Sequence, residues 1–167
     1  GGLDGLPEAK ALFSQILGVA ATETLIGGNA SLTLMYQVMA FAHQFGVRGK
    51  GTAWSLAGEI SFLCPVPGYD RHFSICEELG IKMIPVAMND NGPDMDQVEA
   101  LIKADKNIKG IWCVPRFSNP SGIVYGNDTV ARISRLAKIA GENFRVMWDN
   151  AYAIHALHND APQLANI

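Results

Sequence analysis

Most of the chain alternates short apolar runs with segments of helical periodicity. The apolar runs cover 59–65, 81–88, 108–115 and 144–150, and the helical segments between them cover 68–80, 94–105 and 127–142. Each run is continuously apolar, which is typical of a strand buried on both faces of a parallel sheet. We therefore predict an α/β fold, a mostly parallel sheet with helices on both faces.

Two more helices are predicted in the first 45 residues. The first begins at Pro7 and ends at Gly18, and its apolar face carries Leu12, Phe13, Ile16 and Leu17. The second begins at Ser31 after a glycine-rich turn. Further along, Asp94 is predicted to lie at the N-cap of its helix.

Composition narrows the class of protein. The 167 residues suit one domain, 49% of them are hydrophobic and the net charge is −3. This balance argues against disorder, and no basic cluster suggests a nucleic-acid partner. The longest apolar run, 17–21, is too short to cross a membrane, and no signal peptide is evident, so we expect a cytoplasmic protein.

The metal-binding residue types form no ligand pattern. Cys64, Cys76 and Cys113 are widely spaced and predict buried, reduced thiols. The four histidines lack metal-ligand spacing and are interpreted as surface or satisfied side chains: His43, His72, His155 and His158. No metal site is predicted. The three tryptophans, Trp54, Trp112 and Trp148, are most simply core residues.

Polar residues collect where the predicted strands end. They lie in four loops, at 27–31, 67–69, 118–122 and 149–152. Ligands of open α/β sheets bind beyond the carboxyl ends of the strands. The sequence therefore predicts a ligand site at this rim.

Asp149 is a carboxylate at the end of a predicted buried strand, and it needs a partner. The strand before it is built for burial, and an ionised carboxylate there is costly without a cation or several donors. No basic residue is near in sequence, because Arg145 lies at the opposite end of the strand. A protonated ring nitrogen of a ligand would be a good partner, and Tyr152 would offer a phenol beside it.

The other three loops allow two interpretations each. "GGNAS" suits an anion cradle at a helix N-terminus, or a tight turn with Asn29 or Ser31 as N-cap. Tyr69 in "PGYD" could stack on a flat ligand or be a core tyrosine at a turn. Asn119 in "SNPSG" could donate to a ligand, although turn chemistry alone explains the motif.

Taken in order, these four motifs resemble the large domain of fold-type I pyridoxal-5′-phosphate (PLP) aminotransferases. The resemblance spans essentially the whole chain, and "GGNASL", "CPVPGYDRHF" and "VPRFSNPSG" look most like the aspartate aminotransferase subgroup once called MocR-like. It implies that Asp149 pairs with the pyridinium nitrogen, while Tyr152 and Asn119 hydrogen-bond the phenolic oxygen of the cofactor. It also implies that Tyr69 stacks on the ring. The phosphate would be held by Gly28, Asn29 and Ala30.

The resemblance is incomplete in one respect. The family's Schiff-base lysine lies well downstream of D-x-x-Y, but here the last lysine, Lys138, precedes Asp149. The arginine that grips the substrate α-carboxylate, normally in a C-terminal small domain, is also missing. We therefore expect residues 1–167 to be part of the PLP-binding large domain, lacking the catalytic-lysine region and the small domain, and inactive alone.

The resemblance implies a parent enzyme that exchanges amino groups between an amino acid and a 2-oxo acid. Aspartate or glutamate with 2-oxoglutarate is the expected pair; the alternatives are a PLP-dependent C–S lyase and a non-catalytic fragment or folding core. Arg116 could meet a substrate carboxylate or be a solvated loop side chain. A homodimer is expected, with residues 1–6 near its boundary.

Overall fold

A computed structural model describes residues 2–167. Its one sheet has the strand order β3-β2-β1-β4-β5. The strands are β1 (Ser61–Val66), β2 (Lys82–Asn89), β3 (Gly92–Pro93), β4 (Ile108–Cys113) and β5 (Arg145–Trp148). The helices are α1 (Pro7–Leu17), α2 (Ser31–Gln44), α3 (Asp70–Glu78), α4 (Met95–Ala104) and α5 (Asn127–Ile133).

The strand pairing confirms the predicted α/β architecture. β1 lies in the centre and runs parallel to both β2 and β4, and β4 runs parallel to β5. Only β3 is antiparallel, a two-residue strand against the end of β2 that the sequence pattern did not reveal. The carboxyl ends of the four parallel strands consequently lie at one edge of the sheet.

Helices cover both faces, as predicted, because successive strand residues point to opposite sides. On one face, Phe62 and Trp112 pack with residues of α2 and α3. On the other, Leu63 and Ile111 pack with residues of α4 and α5. A Cβ on Gly110 would lie 2.2 Å from the ring of Phe62, so only glycine fits there.

The predicted helix boundaries hold with one exception. Gly18 ends α1 in the left-handed conformation at φ 69°, and the Asp94 carboxylate accepts hydrogen bonds from two backbone N–H groups of α4. The helix expected over 127–142 ends at Ile133, and a separate 3₁₀ turn follows at Leu136–Lys138. The hydroxyl of Ser134 donates to the Ala131 carbonyl oxygen at 2.9 Å, a local bond that competes with helix continuation.

The prediction of full burial for β5 was wrong. All four of its residues are half-buried, because β5 is hydrogen-bonded to a neighbour on one side only. The apolar face of α1 is likewise not buried, and Leu12 keeps 55% of its surface exposed. Trp54 and Trp112 are core residues as predicted, whereas Trp148 on β5 is half-buried.

Cys64, Cys76 and Cys113 are free and buried, which confirms their interpretation as reduced thiols. Within residues 2–167, no helix combines the length and the apolar character needed to cross a membrane.

Candidate functional site

The partner of Asp149 within the chain is a histidine from another element. The backbone N–H of Asp149 donates to the Cys113 carbonyl oxygen at 2.8 Å, which extends the pairing of β5 with β4 by one residue. At this point the Asp149 carboxylate oxygen Oδ2 lies 3.0 Å from Nε2 of His72 on α3. The exposed fraction is 1% for the His72 side chain and 12% for that of Asp149. Asp149 is thus fixed by a buried imidazole at the end of its strand.

Two aromatic rings hold the His72 imidazole in place. It stacks on Trp112 of β4, with ring centroids 4.2 Å apart and planes at 8°. The Tyr69 ring meets the imidazole edge-on, with ring centroids 5.1 Å apart and planes at 90°. On the sequence alone, His72 was interpreted as a surface or satisfied residue. It is satisfied, and its partner is Asp149, the candidate residue for the ring nitrogen of a ligand. The available signal was the position of His72 one helical turn after Tyr69, which points both side chains toward the same rim.

Asn119 and Tyr152 come together from different loops. The Asn119 amide nitrogen Nδ2 lies 3.5 Å from the Tyr152 hydroxyl, at the outer limit of a hydrogen bond. Both side chains are half-buried. They line one cavity of about 810 Å³, together with His155, whose ring meets that of Tyr152 edge-on at 5.6 Å. An amide and a phenol therefore face the same space.

The glycine-rich loop leads into an uncapped helix N-terminus. Ala30 is the N-cap residue of α2, and no side chain of residues 2–167 caps this end, so the hypothesis that Asn29 or Ser31 does so was wrong. First-turn N–H groups without a side-chain partner favour an anion there. A Cβ on Gly28 would meet nothing within 4 Å, whereas one on Gly27 would lie 2.3 Å from the Leu34 side chain. Packing therefore restricts Gly27, and Gly28 faces open space.

One cavity connects this helix end to Asp149. Its volume is about 560 Å³, and Ser31, Trp112 and Asp149 all line it. A ligand in it could meet the N-terminus of α2 and the carboxylate together. Tyr69 and Asn119 lie outside this lining: Asn119 lines the other cavity with Tyr152, and Tyr69 contacts His72.

Arg116 is not a solvated loop side chain. It is half-buried, and its Nη1 donates to the Ala153 carbonyl oxygen at 2.6 Å. Its Nε is buried and has no hydrogen-bond partner within residues 2–167, and the same holds for Oδ1 of Asn150. These two groups add a donor and an acceptor behind the loop that carries Tyr152.

The groups beneath Asp149 add no second negative charge. Burial raises the pKa of the Cys113 thiol well above its ordinary value. Burial also raises the pKa of Tyr125, whose ring lies edge-on to Trp148 at 5.9 Å. Both groups stay neutral at neutral pH, so neither adds a negative charge near the end of β5.

Residues 2–167 contain no group of three or more His, Cys, Asp or Glu side chains placed to hold a metal ion.

The chain is similar to known proteins over its whole length. An aspartate aminotransferase of Corynebacterium glutamicum is 44% identical over 167 residues, which are 100% of this chain and 38% of that protein. The crystal structure of an aspartate transaminase from that organism superposes with a TM-score of 0.91 at 44% identity, covering 99% of this chain and 38% of the other. The chain thus spans about two fifths of the length of the curated relative.

Cystalysin from Treponema denticola, whose crystal structure contains pyridoxal 5′-phosphate, is similar in fold alone. The TM-score is 0.63 at 18% identity, covering 88% of this chain and 36% of that one. The family model described as aspartate amino-transferase matches residues 1–167. With the whole chain matched, and with the identity to a curated relative given above, this chain belongs to the aspartate aminotransferase family.

Proposed function

We propose that this chain is part of the PLP-binding large domain of an aminotransferase that uses aspartate or glutamate with 2-oxoglutarate. The observation that carries the proposal is the Asp149 carboxylate, held by buried His72 in a cavity that also reaches the N-terminus of α2. The family membership and the identity to an aspartate aminotransferase support the choice of reaction.

The donor set fits the cofactor. The uncapped N-terminus of α2, at Gly28, Asn29 and Ala30, would hold the phosphate. Asp149 would meet the ring nitrogen, and Tyr69 would supply the stacking ring. When bound, pyridoxal phosphate supplies a protonated ring that withdraws electrons from the substrate α-carbon.

Each protein group has a definite task. His72 fixes one oxygen of Asp149, so the carboxylate can keep the proton on the ring nitrogen with the other. Asn119 and Tyr152 orient donors toward the phenolic oxygen of the cofactor. In this assignment Asp149 and Tyr152 are the catalytic residues.

The proposal extends to the protein as a whole. The catalytic lysine and the arginine for the α-carboxylate would come from the catalytic-lysine region and a small domain outside these 167 residues. We assign the protein to the subgroup once called MocR-like, as a cytoplasmic homodimer with residues 1–6 near the boundary between copies. Gly1 lies outside the described residues. An active monomer in light scattering of the full-length protein would contradict this assembly.

The test uses the full-length protein with PLP. Transfer of the amino group from L-aspartate to 2-oxoglutarate is measured as glutamate formed, the product that L-aspartate shares with L-alanine, the comparison amino donor. Aspartate turnover well above alanine turnover supports the proposal. Release of pyruvate, ammonia and a thiol from cystathionine without amino transfer would make the protein a C–S lyase. Failure to bind PLP, seen as no cofactor absorbance after dialysis, would make it a non-catalytic protein.

A further inference from the structure

A second polar cavity lies at the amino edge of the sheet, opposite the candidate cofactor site. Its volume is about 430 Å³, and two loops form it, one after α2 and one before β5. Arg48 lines it from the loop after α2 and Arg145 from the first position of β5, together with Thr52, Glu142 and Asn143. Two arginines therefore face one small space.

In the part of the chain that the structure describes, neither guanidinium has a carboxylate partner. Within residues 2–167, no ion pair within 4.0 Å includes Arg48 or Arg145. Nη1 of Arg145 donates to the Phe144 carbonyl oxygen at 2.7 Å, which leaves most of its donors unused. Burial, and then the positive charge of Arg48, lower the pKa of Arg145. The two arginines thus repel each other across the cavity.

The surrounding backbone is held by specific hydrogen bonds. Thr52 Oγ1 accepts from the Arg48 N–H at 2.9 Å and donates to the Gly49 carbonyl oxygen at 2.8 Å. Trp54 Nε1 donates to the Asn143 carbonyl oxygen at 3.0 Å, which ties the first loop to the second. The walls of the cavity are therefore fixed before any ligand arrives.

The nearby charges leave the cavity positive. Lys109 Nζ is engaged by the carbonyl oxygens of Lys106 and Glu142, at 3.1 and 3.2 Å. Glu142 supplies the only carboxylate in the lining, and its side chain forms no ion pair with either arginine. A small dianion would relieve the repulsion that Arg48 and Arg145 impose on each other.

We propose that this cavity binds a phosphate group, with Arg48 and Arg145 as its ligands. Guanidinium forks match the oxygens of a phosphate in bidentate fashion, and two of them balance its double charge. The group could be inorganic phosphate or part of a small phosphate monoester. The site is distinct from the cradle at α2, because it lies at the amino end of β5 and Asp149 follows the carboxyl end.

The test is isothermal titration of the full-length protein with inorganic phosphate at constant ionic strength. The protein is first loaded with PLP and dialysed, so the cofactor cradle is filled and free PLP is absent. Arg48→Gln and Arg145→Lys should each weaken phosphate binding about tenfold or more, the usual effect of losing a charge-assisted hydrogen bond. The matched control is Arg135→Gln, an exposed arginine outside the cavity, which should leave the affinity unchanged.

The unfolding temperature provides a second measurement, which can be read even if the affinity for phosphate is low. In phosphate-free buffer, Arg48→Gln should unfold at an equal or higher temperature than wild type, because a like-charge contact is gone. With phosphate added, wild type should unfold at a higher temperature than Arg48→Gln. Glycerol 2-phosphate separates a monoester from the free ion, and succinate tests whether any dianion suffices.

Three results would overturn the proposal: no saturable binding of phosphate, equal binding by the Arg48→Gln/Arg145→Lys double variant, or equal weakening by Arg135→Gln. Succinate binding as tight as phosphate would also overturn it, since the cavity would then respond to charge alone. None of these outcomes depends on transaminase activity, because the readouts are heat and unfolding temperature.

Discussion

Replacing the His72 imidazole by a ring without nitrogen should slow the reaction more than it lowers the free energy of unfolding. His72→Phe keeps a flat ring against Trp112 but takes away the nitrogen that lies 3.0 Å from Asp149. His72→Ala removes the ring as well and leaves a cavity where the side chain was 1% exposed. Comparing the two variants separates the hydrogen bond from the packing.

The expected magnitude follows from the burial of the pair. A hydrogen bond to a charged group contributes about 1.5–3 kcal/mol, and the 12% exposure of the Asp149 side chain leaves little water to replace it. If Asp149 acts only when it is fixed, His72→Phe should slow α-proton removal by about ten- to a hundred-fold. His72→Ala should additionally lower the free energy of unfolding, by about 2–4 kcal/mol.

The assay is a single turnover of the full-length, PLP-loaded protein with an excess of L-aspartate, followed by the absorbance of the cofactor. The thermal midpoint and the cofactor content are recorded for each variant. His43→Phe, in the last turn of α2, serves as the control for a histidine away from the site. Wild-type rates in His72→Phe with cofactor bound would refute the idea that His72 positions Asp149.

Three further changes test other parts of the structure. Gly110→Ala should lower the free energy of unfolding in urea by about 1–3 kcal/mol, because its Cβ would lie 2.2 Å from an aromatic ring. The control Gly51→Ala, whose Cβ would meet nothing within 4 Å, should leave that free energy nearly unchanged. Arg132→Gln should lower the free energy of unfolding by about 0.3–1 kcal/mol at pH 7. The reason is that the hydrogen bond from Arg132 lowers the pKa of Glu99 below its ordinary value of 4.5. The stabilisation is therefore present above pH 4.5 and is lost as the pH falls further. The thermal midpoints of Arg132→Gln and wild type should consequently converge in acid. Tyr152→Phe should slow amino transfer by less than about tenfold without loss of bound cofactor, since it removes one hydroxyl, which accepts from Asn119 Nδ2 at 3.5 Å, and leaves the phosphate cradle intact; release of the cofactor on dialysis would contradict this.

The sequence was sufficient where local chemistry decides the structure. Pro7 and Gly18 fixed the ends of α1, and the Asp94 carboxylate identified the start of α4. The order of strands and helices was readable because a parallel sheet needs continuous apolar runs with crossover helices between them. The carboxyl edge of that sheet then located the rim that carries Asn119 and Asp149.

The sequence was insufficient where a neighbour in space decides. The pattern of β5 did not reveal that this strand has a partner on one side only. The hydroxyl of Ser134 forms its bond within one turn, but an isolated serine does not show whether a helix continues past it. The pairing of His72 with Asp149 joins residues 77 positions apart. The position of His72 one helical turn after Tyr69 directs it toward the rim, but that spacing does not identify Asp149 as its partner.

The identity of that partner bears on what Asp149 can do. An arginine in place of His72 would hold the carboxylate equally well, but its permanent charge would cancel the negative charge at the site. An imidazole carries no permanent charge and contacts the carboxylate through one atom, Nε2, which lies 3.0 Å from Oδ2. Because the second carboxylate oxygen accepts no hydrogen bond within residues 2–167, it remains free for a further donor. The arrangement suits a group whose proton must be retained, as the proposed ring nitrogen requires.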